Sequence, residues 1–524
     1  MLREPCFRKR KYSTRCRAML ACRQRAVLLW SQRAAGANGI RSGGRVSLAE
    51  RKSSLKGVMD DRKAIVKGVL AAAGAAALVV FLAGVRPADL SDDGRRTVIR
   101  IWHVWGGPML EAYRRSVEMF HAAHPQIACE LLYVPNDLSN NQKFYTAVVG
   151  NCAPEVIFVD GPQVAEWAER GLLADLGPLL RECGRDPEAF AQEFWPPCWR
   201  QCFYKGKVWA VTFCADPNFA FFWNKDAIRR ALAAGEVPEA ARSRIDPDRP
   251  PATIEELDRS SDALTRLEGG RLVRVGFVPW GVYGRANSMF TWGWAWGGEF
   301  YDPERRKITA DDPRCVAALE WMCSYAQKYD FRRVAALQST FGSAEQNPFI
   351  TGRQVLQVYH VTGLDEVRRY APHLEYGMAP LPQPPGGEKA SSWVGGWTMA
   401  VPATLADPAK RRAAMEYILW ACASAEGTRL SVRTIVGFPG WKPSPFFEDA
   451  AKDPDLAVFA DILRQCKHQR PVMPAQAYYM DQLDRAVDRA VRGELAPRQA
   501  LAEAARNTQA FLDKILRRSE GGGP

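Results

Sequence analysis

A chain of 524 residues is too long for a single hydrophobic core, so two or more lobes are expected. Its 47% hydrophobic and 25% charged residues are those of a globular protein. The net charge of +13 lies wholly in residues 1–65, which hold 17 Lys+Arg and 4 Asp+Glu; the remainder balances at 71 − 17 = 54 basic and 58 − 4 = 54 acidic residues, which excludes a bulk field for nucleic acid or anionic lipid.

Residues 1–65 have no apolar periodicity and read as a basic, disordered leader. Residues 66–85 read as a membrane anchor or signal segment. Within them, Gly68 to Val85 is an uncharged apolar run of 18 residues, long for a signal-peptide core and just long enough to span a bilayer. Arg62, Lys63 and Lys67 precede it, which keeps the N-terminus in the cytoplasm and exports the chain beyond residue 85. The run ends in Leu82-Ala83-Gly84-Val85, like a bacterial lipobox with valine in place of the acylated cysteine, and has no small-x-small cleavage site. An uncleaved anchor is therefore preferred to a cleaved signal. Met59, just ahead of the run, is an alternative start that would leave residues 1–58 untranslated.

Residues 86–96 are a polar linker. Thr97 to Trp105 then reads as a strand ending at Gly106-Gly107, and Pro108 opens a helix with Leu110, Tyr113, Val117 and Phe120 at helical spacing. Next come a strand (Ile127 to Val134), a helix (Leu138 to Gly150), a strand (Glu155 to Val159) and a helix to Arg170. This alternation predicts a parallel sheet with helices on both faces, which places ligands at the carboxyl ends of its strands, here His103 to Gly107 and Asp160 to Pro162. Further on, strands are expected over Lys207 to Phe213, Asn218 to Trp223, Val273 to Trp280, Gln354 to Tyr359, Glu375 to Ala379 and Trp397 to Val401. Residues 229–251, rich in Ala, Arg and Pro, read as an inserted loop, and Thr253 with Glu256 as a capping box. Helices are expected from Asp312-Pro313 to Tyr329 and, at the end, over about 408–422, 424–434, 455–465, 477–492 and 496–517.

Trp292, Trp294 and Trp296 fall at every second position with small residues between them. If extended, the stretch puts all three indoles on one face, a flat wall suited to the apolar face of a sugar ring; the alternative is an aromatic core. Ten cysteines lie beyond the leader. Only Cys198 and Cys202 are close, and no second Cys/His pair has zinc spacing, so buried free thiols are expected and no metal site. No Walker loop, His-Glu-x-x-His, Gly-x-Ser-x-Gly or dinucleotide fingerprint is present, so neither catalytic residues nor a cofactor are expected. The acid pairs Asp311-Asp312 and Asp365-Glu366 read as solvated.

From Thr97 onward, the order of segments resembles the family 1 extracellular solute-binding proteins of ABC transporters, the maltose- and glycerol-phosphate-binding type. Ile99 to Phe120 looks like that family's opening. Pro154 to Val159 followed by Trp167 to Leu176 is similar to its strand, helix, Gly-Leu-Leu and Asp-Leu pattern, with Glu155 where Asp is usual. Tyr204 to Thr212, Phe222 to Asp226, Gly297 to Asp302, Phe349 to Val358 and Val394 to Val401 resemble later family segments in the same order. The resemblance implies an α/β, two-lobed periplasmic-binding-protein fold (type II, the class of sugar-binding proteins) with crossing strands between lobes. Lobe one would be 97–213 and 397–465, and lobe two 217–395 and 468–517. A hinge motion would close the lobes on a small ligand.

Carried onto this chain, the cleft would be lined by His103, Trp105, Gly106 and Asp160 from lobe one. Trp280, Trp292, Trp294, Trp296, Tyr359 and His360 would come from lobe two, with Trp393 and Trp397 flanking the crossover and Trp441, Tyr478 and Tyr479 completing the set. The implied function is an extracytoplasmic receptor that captures a mono- or oligosaccharide and delivers it to ABC permease subunits, tethered to the membrane through residues 66–85 or secreted. Three alternatives stay open: a receptor for a phosphorylated polyol using Arg285 and Arg353, an exported glycan-acting enzyme, and a signalling or scaffold protein that keeps the two lobes.

Overall fold

The computed structural model describes residues 96–135, 138–281, 284–340, 346–429 and 437–520. The leader, the apolar run within 66–85 and the linker up to residue 95 lie outside them, as do residues 430–434 of the helix expected at 424–434. Among the described residues no helix is long and apolar enough to cross a membrane.

Twelve strands in three sheets carry the architecture: β1 (Thr97–His103), β2 (Ile127–Tyr133), β3 (Val156–Asp160), β4 (Val211–Thr212), β5 (Cys214–Asn218), β6 (Ala220–Asn224), β7 (Leu356–Tyr359), β8 (Tyr376–Ala379), β9 (Trp393–Gly395), β10 (Trp397–Ala400), β11 (Phe438–Pro439) and β12 (His468–Gln469). The first sheet has the order β2-β1-β3-β10-β4. β1 runs parallel to β2 and β3, as the β-α-β alternation requires, while β10 enters antiparallel to both β3 and β4. Ile99, Ile101 and His103 alternate into the core from β1. The helix Gly107–Ala123 has Pro in its first turn, and its buried Tyr113 hydroxyl meets that of Tyr417, on the helix Pro408–Ala423, at 2.5 Å.

The second sheet is β7-β6-β8, antiparallel throughout. Every residue of β6 is buried. Phe221 and Trp223 face one core cluster, and Ala220 and Phe222 face another, which is why β6 reads as an unbroken apolar run rather than an alternating one. The helices Arg285–Ala295, Pro313–Tyr329, Gln476–Val491 and Pro497–Glu520 pack together around the first of these clusters.

The third sheet, β11-β5-β9-β12, joins the other two. The chain leaves the first sheet through β4, passes through β5 and enters the second sheet at β6. It returns from β8 through β9 to β10. Gly396 makes that second passage, at φ +125°; a Cβ there would lie 2.1 Å from the Cys214 carbonyl oxygen, so a side chain is excluded.

Several expected elements differ. The indole block is not extended: it is the C-terminal half of the helix Arg285–Ala295. Residues two apart on a helix point to different sides, so the three indoles do not share a face. Trp292 and Trp296, four apart, both pack on Trp321, whereas Trp294 stacks on Phe290 at 5.1 Å. Gly293 serves the helix rather than a ligand, since a Cβ there would meet the Phe300 ring at 2.3 Å. Of the strand expected over Val273 to Trp280, only Val273 and Arg274 are in a strand, as the end of a hairpin of Arg266–Glu268 with Arg271–Arg274; Val275 bridges to Gln354 and the rest is irregular. The strand expected over Lys207 to Phe213 is broken into Lys207–Val208 and Val211–Thr212. The inserted stretch 229–251 includes the end of the helix Lys225–Ala233 and the short helix Glu239–Arg242. Thr253 caps the next helix by accepting from the Glu256 amide, and the Glu256 carboxylate accepts from Ala252, one residue earlier than a capping box requires. All ten cysteines of the described chain are free thiols.

Candidate functional site

β3, β5 and β9 bring three charged or aromatic groups to one point. Asp160 is the last residue of β3 and pairs with Trp397, the first of β10. Across β5 and β9, Asp216 faces Gly395 and Asn218 faces Trp393. Arg470, just past β12, extends over this junction. Its Nη2 donates to Asp160 Oδ1 at 2.7 Å, and its guanidinium lies 5.5 Å from the centre of the Trp393 ring. Arg470 and Asp160 are well covered, with side chains 12% and 20% exposed.

Desolvation pushes the Asp216 carboxyl up to about 6; the Asp160 charge adds to this, and Arg470 opposes it. Two carboxyl groups thus stand around one guanidinium, a mixed set of acceptors and donors of the kind that hydroxyl groups satisfy.

Indoles surround the group. Trp397 is half-buried, with its ring 6.4 Å from that of Trp105, which itself sits edge-on to Phe158 at 4.4 Å. Trp393 is 2% exposed, its Nε1 donating to Thr291 Oγ1 at 2.9 Å. Trp294 lies 6.0 Å from Trp393 and stacks on His468 at 5.2 Å. His468 Nε2 pairs with Glu388 at 2.6 Å, and Lys467 Nζ meets the same carboxylate at 3.0 Å. Burial alone would raise the Glu388 carboxyl; these two partners outweigh it and hold it below its usual range. A cavity of about 610 Å³ opens beside Trp294 and His468, bounded by the stretch Arg200 to Lys205 on one side and Glu299 to Tyr301 on the other.

Asp160, Trp105, Trp393, Trp397 and Trp294 thus come together, while other expected lining residues stand apart from them. His103 is buried beside Trp105 and Tyr113; burial, then the positive charge of Arg114, lowers its pKa to about 4, which keeps the ring neutral. Gly106 caps the helix Gly107–Ala123, and a Cβ there would press on the Tyr133 ring at 3.2 Å. Trp292 is fully buried in the core cluster around the helix Arg285–Ala295, its Nε1 held by the Pro279 carbonyl at 2.9 Å, with Trp296 half-buried beside it. Trp280 is buried near Phe331. Tyr359 is buried against Phe222, and His360 caps the helix Val361–Tyr370 through the Thr362 amide. Burial lowers the His360 pKa to about 3. Trp441 donates to Glu193 at 2.7 Å, Tyr478 stacks on Phe511 at 4.5 Å, and Tyr479 is buried, donating to the Phe300 carbonyl.

Arg470, Asp216, Glu388 and His468 escaped the sequence reading. Lys467 to Pro474 holds three positive or titratable residues between two helices, and Asp216 interrupts an apolar crossing stretch; both were visible departures from core composition. Arg285 is paired with Asp488 at 2.9 Å and Arg353 donates to Thr340, so neither joins the group around Asp160. Among the described residues no group of three or more His, Cys, Asp or Glu is placed to hold a metal ion.

The fold is that of two-lobed sugar-binding proteins. CpMnBP1 with mannobiose bound superposes with a TM-score of 0.66 at 19% identity, covering 79% of this chain and all (100%) of that one. The GacH receptor of Streptomyces glaucescens, solved unliganded and with acarbose, gives 0.62 at 21% identity over 80% and 99% of the two chains. Maltose-bound MalE3 of T. maritima gives 0.62 at 21% identity over 79% and 100%. No curated protein matches the sequence. The family model for bacterial extracellular solute-binding proteins matches residues 116–457, well over half of the sequence, and the chain belongs to that family.

Proposed function

We propose that this protein is a receptor that captures a carbohydrate between its two lobes and hands it to an ABC importer, with no bond made or broken in the site. The observation that carries this reading is the strand-tip carboxylate of Asp160, set with Arg470 among Trp105, Trp393 and Trp397 where the strands cross. A vicinal pair of hydroxyls would accept from Arg470 and donate to Asp160, at ~1.5–3 kcal/mol for each charged hydrogen bond. The apolar face of a sugar ring would stack on an indole at ~0.5–1.5 kcal/mol beyond area burial. Structural relatives crystallised with mannobiose, acarbose and maltose support the substrate class. An extracellular family description supports a position outside the cytoplasm.

In this reading, residues 97–213 with 397–465 form one lobe and 217–395 with 468–517 the other. The two lobes rotate about β5, β9 and the β12 segment, so that ligand contacts from both favour the closed state. The apolar stretch of residues 66–85 tethers the receptor at the membrane beside its permease. A phosphorylated-polyol ligand would need two or more uncommitted basic side chains at the junction, whereas Arg470 is already paired with Asp160, Lys467 with Glu388, and Arg200 is held by Gln469. Calorimetry against mannobiose, maltose and longer glucans, with Asp160→Asn, Arg470→Met and Trp397→Ala, tests the site. A tenfold or greater loss is expected for Asp160→Asn. Unchanged affinity in all three variants, for a sugar the native chain binds, would remove the site; no heat with any sugar would remove the substrate class.

A further inference from the structure

The Ala/Arg/Pro-rich insertion folds into the wall of a second cavity, of about 560 Å³, that shares no lining residue with the one beside Trp294. Its floor is apolar: Trp223 of β6, Leu356 of β7, Ile228, Ile245 and Leu264. The wall is held by specific bonds. Trp223 Nε1 donates to the Pro247 carbonyl at 2.8 Å, Lys225 pairs with Asp248 at 2.9 Å, and the Asp248 amide closes a turn on Asp246 at 2.8 Å. Pro250 and Pro251 stiffen the exit into the capped helix Ile254–Leu264. The volume falls within the range of small-molecule sites, and the hydrogen-bonded wall means that it exists before any ligand enters.

The charges at the mouth are unequal in what they have left to offer. Each lining acid is already engaged: Asp246 in its turn, Glu256 by Arg249 and the Ala252 amide, and Asp262 by Lys328 and the Tyr329 hydroxyl. Arg244 and Arg259 also line the cavity, and neither makes an ion pair with any described residue. An apolar floor beneath two uncommitted guanidinium groups suits a molecule with a hydrocarbon body and one carboxylate, which guanidinium binds through two parallel hydrogen bonds.

We infer that this cavity is a second ligand site, for a small amphipathic carboxylate, separate from the crossing-strand site and independent of the sugar reading. Calorimetry on the full chain with hydrocinnamate and isocaproate, each against its neutral amide, tests it. The acids are expected to bind with the amides at least tenfold weaker. The double variant Arg244→Gln with Arg259→Gln, two exposed positions that leave the core intact, is expected to lose tenfold or more for the acids while binding the amides and any sugar as before. The inference is overturned if neither acid gives heat up to about 5 mM, if acid and amide bind alike, or if the double variant binds the acids as the native chain does.

Discussion

Trp292, on the helix Arg285–Ala295, and the indoles of the β9–β10 crossover are the same side chain in two physical settings. Trp292 is closed in by Phe277, Trp296 and Trp321, and its one polar atom is spent on the Pro279 carbonyl. Nothing about it is free to meet a ligand. Trp393 is almost as buried, yet one face carries the Arg470 guanidinium, and Trp397 is half-open next to Asp160. What separates a core indole from a candidate contact is the company of charge at its face, more than its own exposure.

Removing one indole from each setting tests whether charge at the face decides the role. Trp292→Ala leaves a cavity in the core around Phe277 and Trp321 and should cost ~3–5 kcal/mol in denaturant unfolding, with the sugar affinity of the folded protein unchanged. Trp397→Ala, from a half-buried site, should cost less in stability and weaken sugar binding. If Trp292→Ala lowers affinity as much as Trp397→Ala does, the division between the two settings is wrong.

The second test uses protons. Asp216 titrates near 6 in the folded chain, well above an ordinary aspartate, because burial and Asp160 disfavour its charge. A raised carboxyl pKa means that the folded state holds its proton more tightly than the unfolded state. Its contribution is therefore complete below about pH 4 and lost as pH rises through about 6, by up to ~3 kcal/mol. Asp216→Asn should flatten that fall in a series of melts across the same range. Arg470→Met should move the fall to higher pH, because Arg470 is the group that lowers the Asp216 pKa. A native profile with no such fall would show that Asp216 is better solvated than its position between β9 and β11 implies.

The crossing architecture was legible because it rests on apolar runs bounded by turn residues, as at Val156–Asp160 and Ala220–Asn224, and on Pro-capped helices such as Pro313–Tyr329. Asp160 was legible as a strand-tip acid. The indole block misled because spacing by two suggests a strand; a buried helix with small residues at alternate positions gives the same pattern, and only the tertiary partners Trp321 and Phe300 decide between them. Arg470 was invisible for another reason. It lies in a short link between helices, 310 residues from the acid it meets, and no local pattern encodes that meeting.

The smallest expected effect separates a sugar from an anionic polyol. Arg285 and Asp488 are each about a third exposed, at 35% and 31%, and Asp488 keeps Arg492 as a second partner at 2.8 Å. Arg285→Gln should therefore cost only ~0.2–1 kcal/mol. Because Arg285 stands apart from Asp160 and its indoles, sugar affinity should not move, and neither should it in Arg353→Gln. Glycerol phosphate should give no heat with either variant or with the native chain. Measurable glycerol phosphate binding that vanishes in Arg285→Gln would place the true site at the start of the indole helix. It would then be the core-like setting, and not the crossover, that meets the ligand.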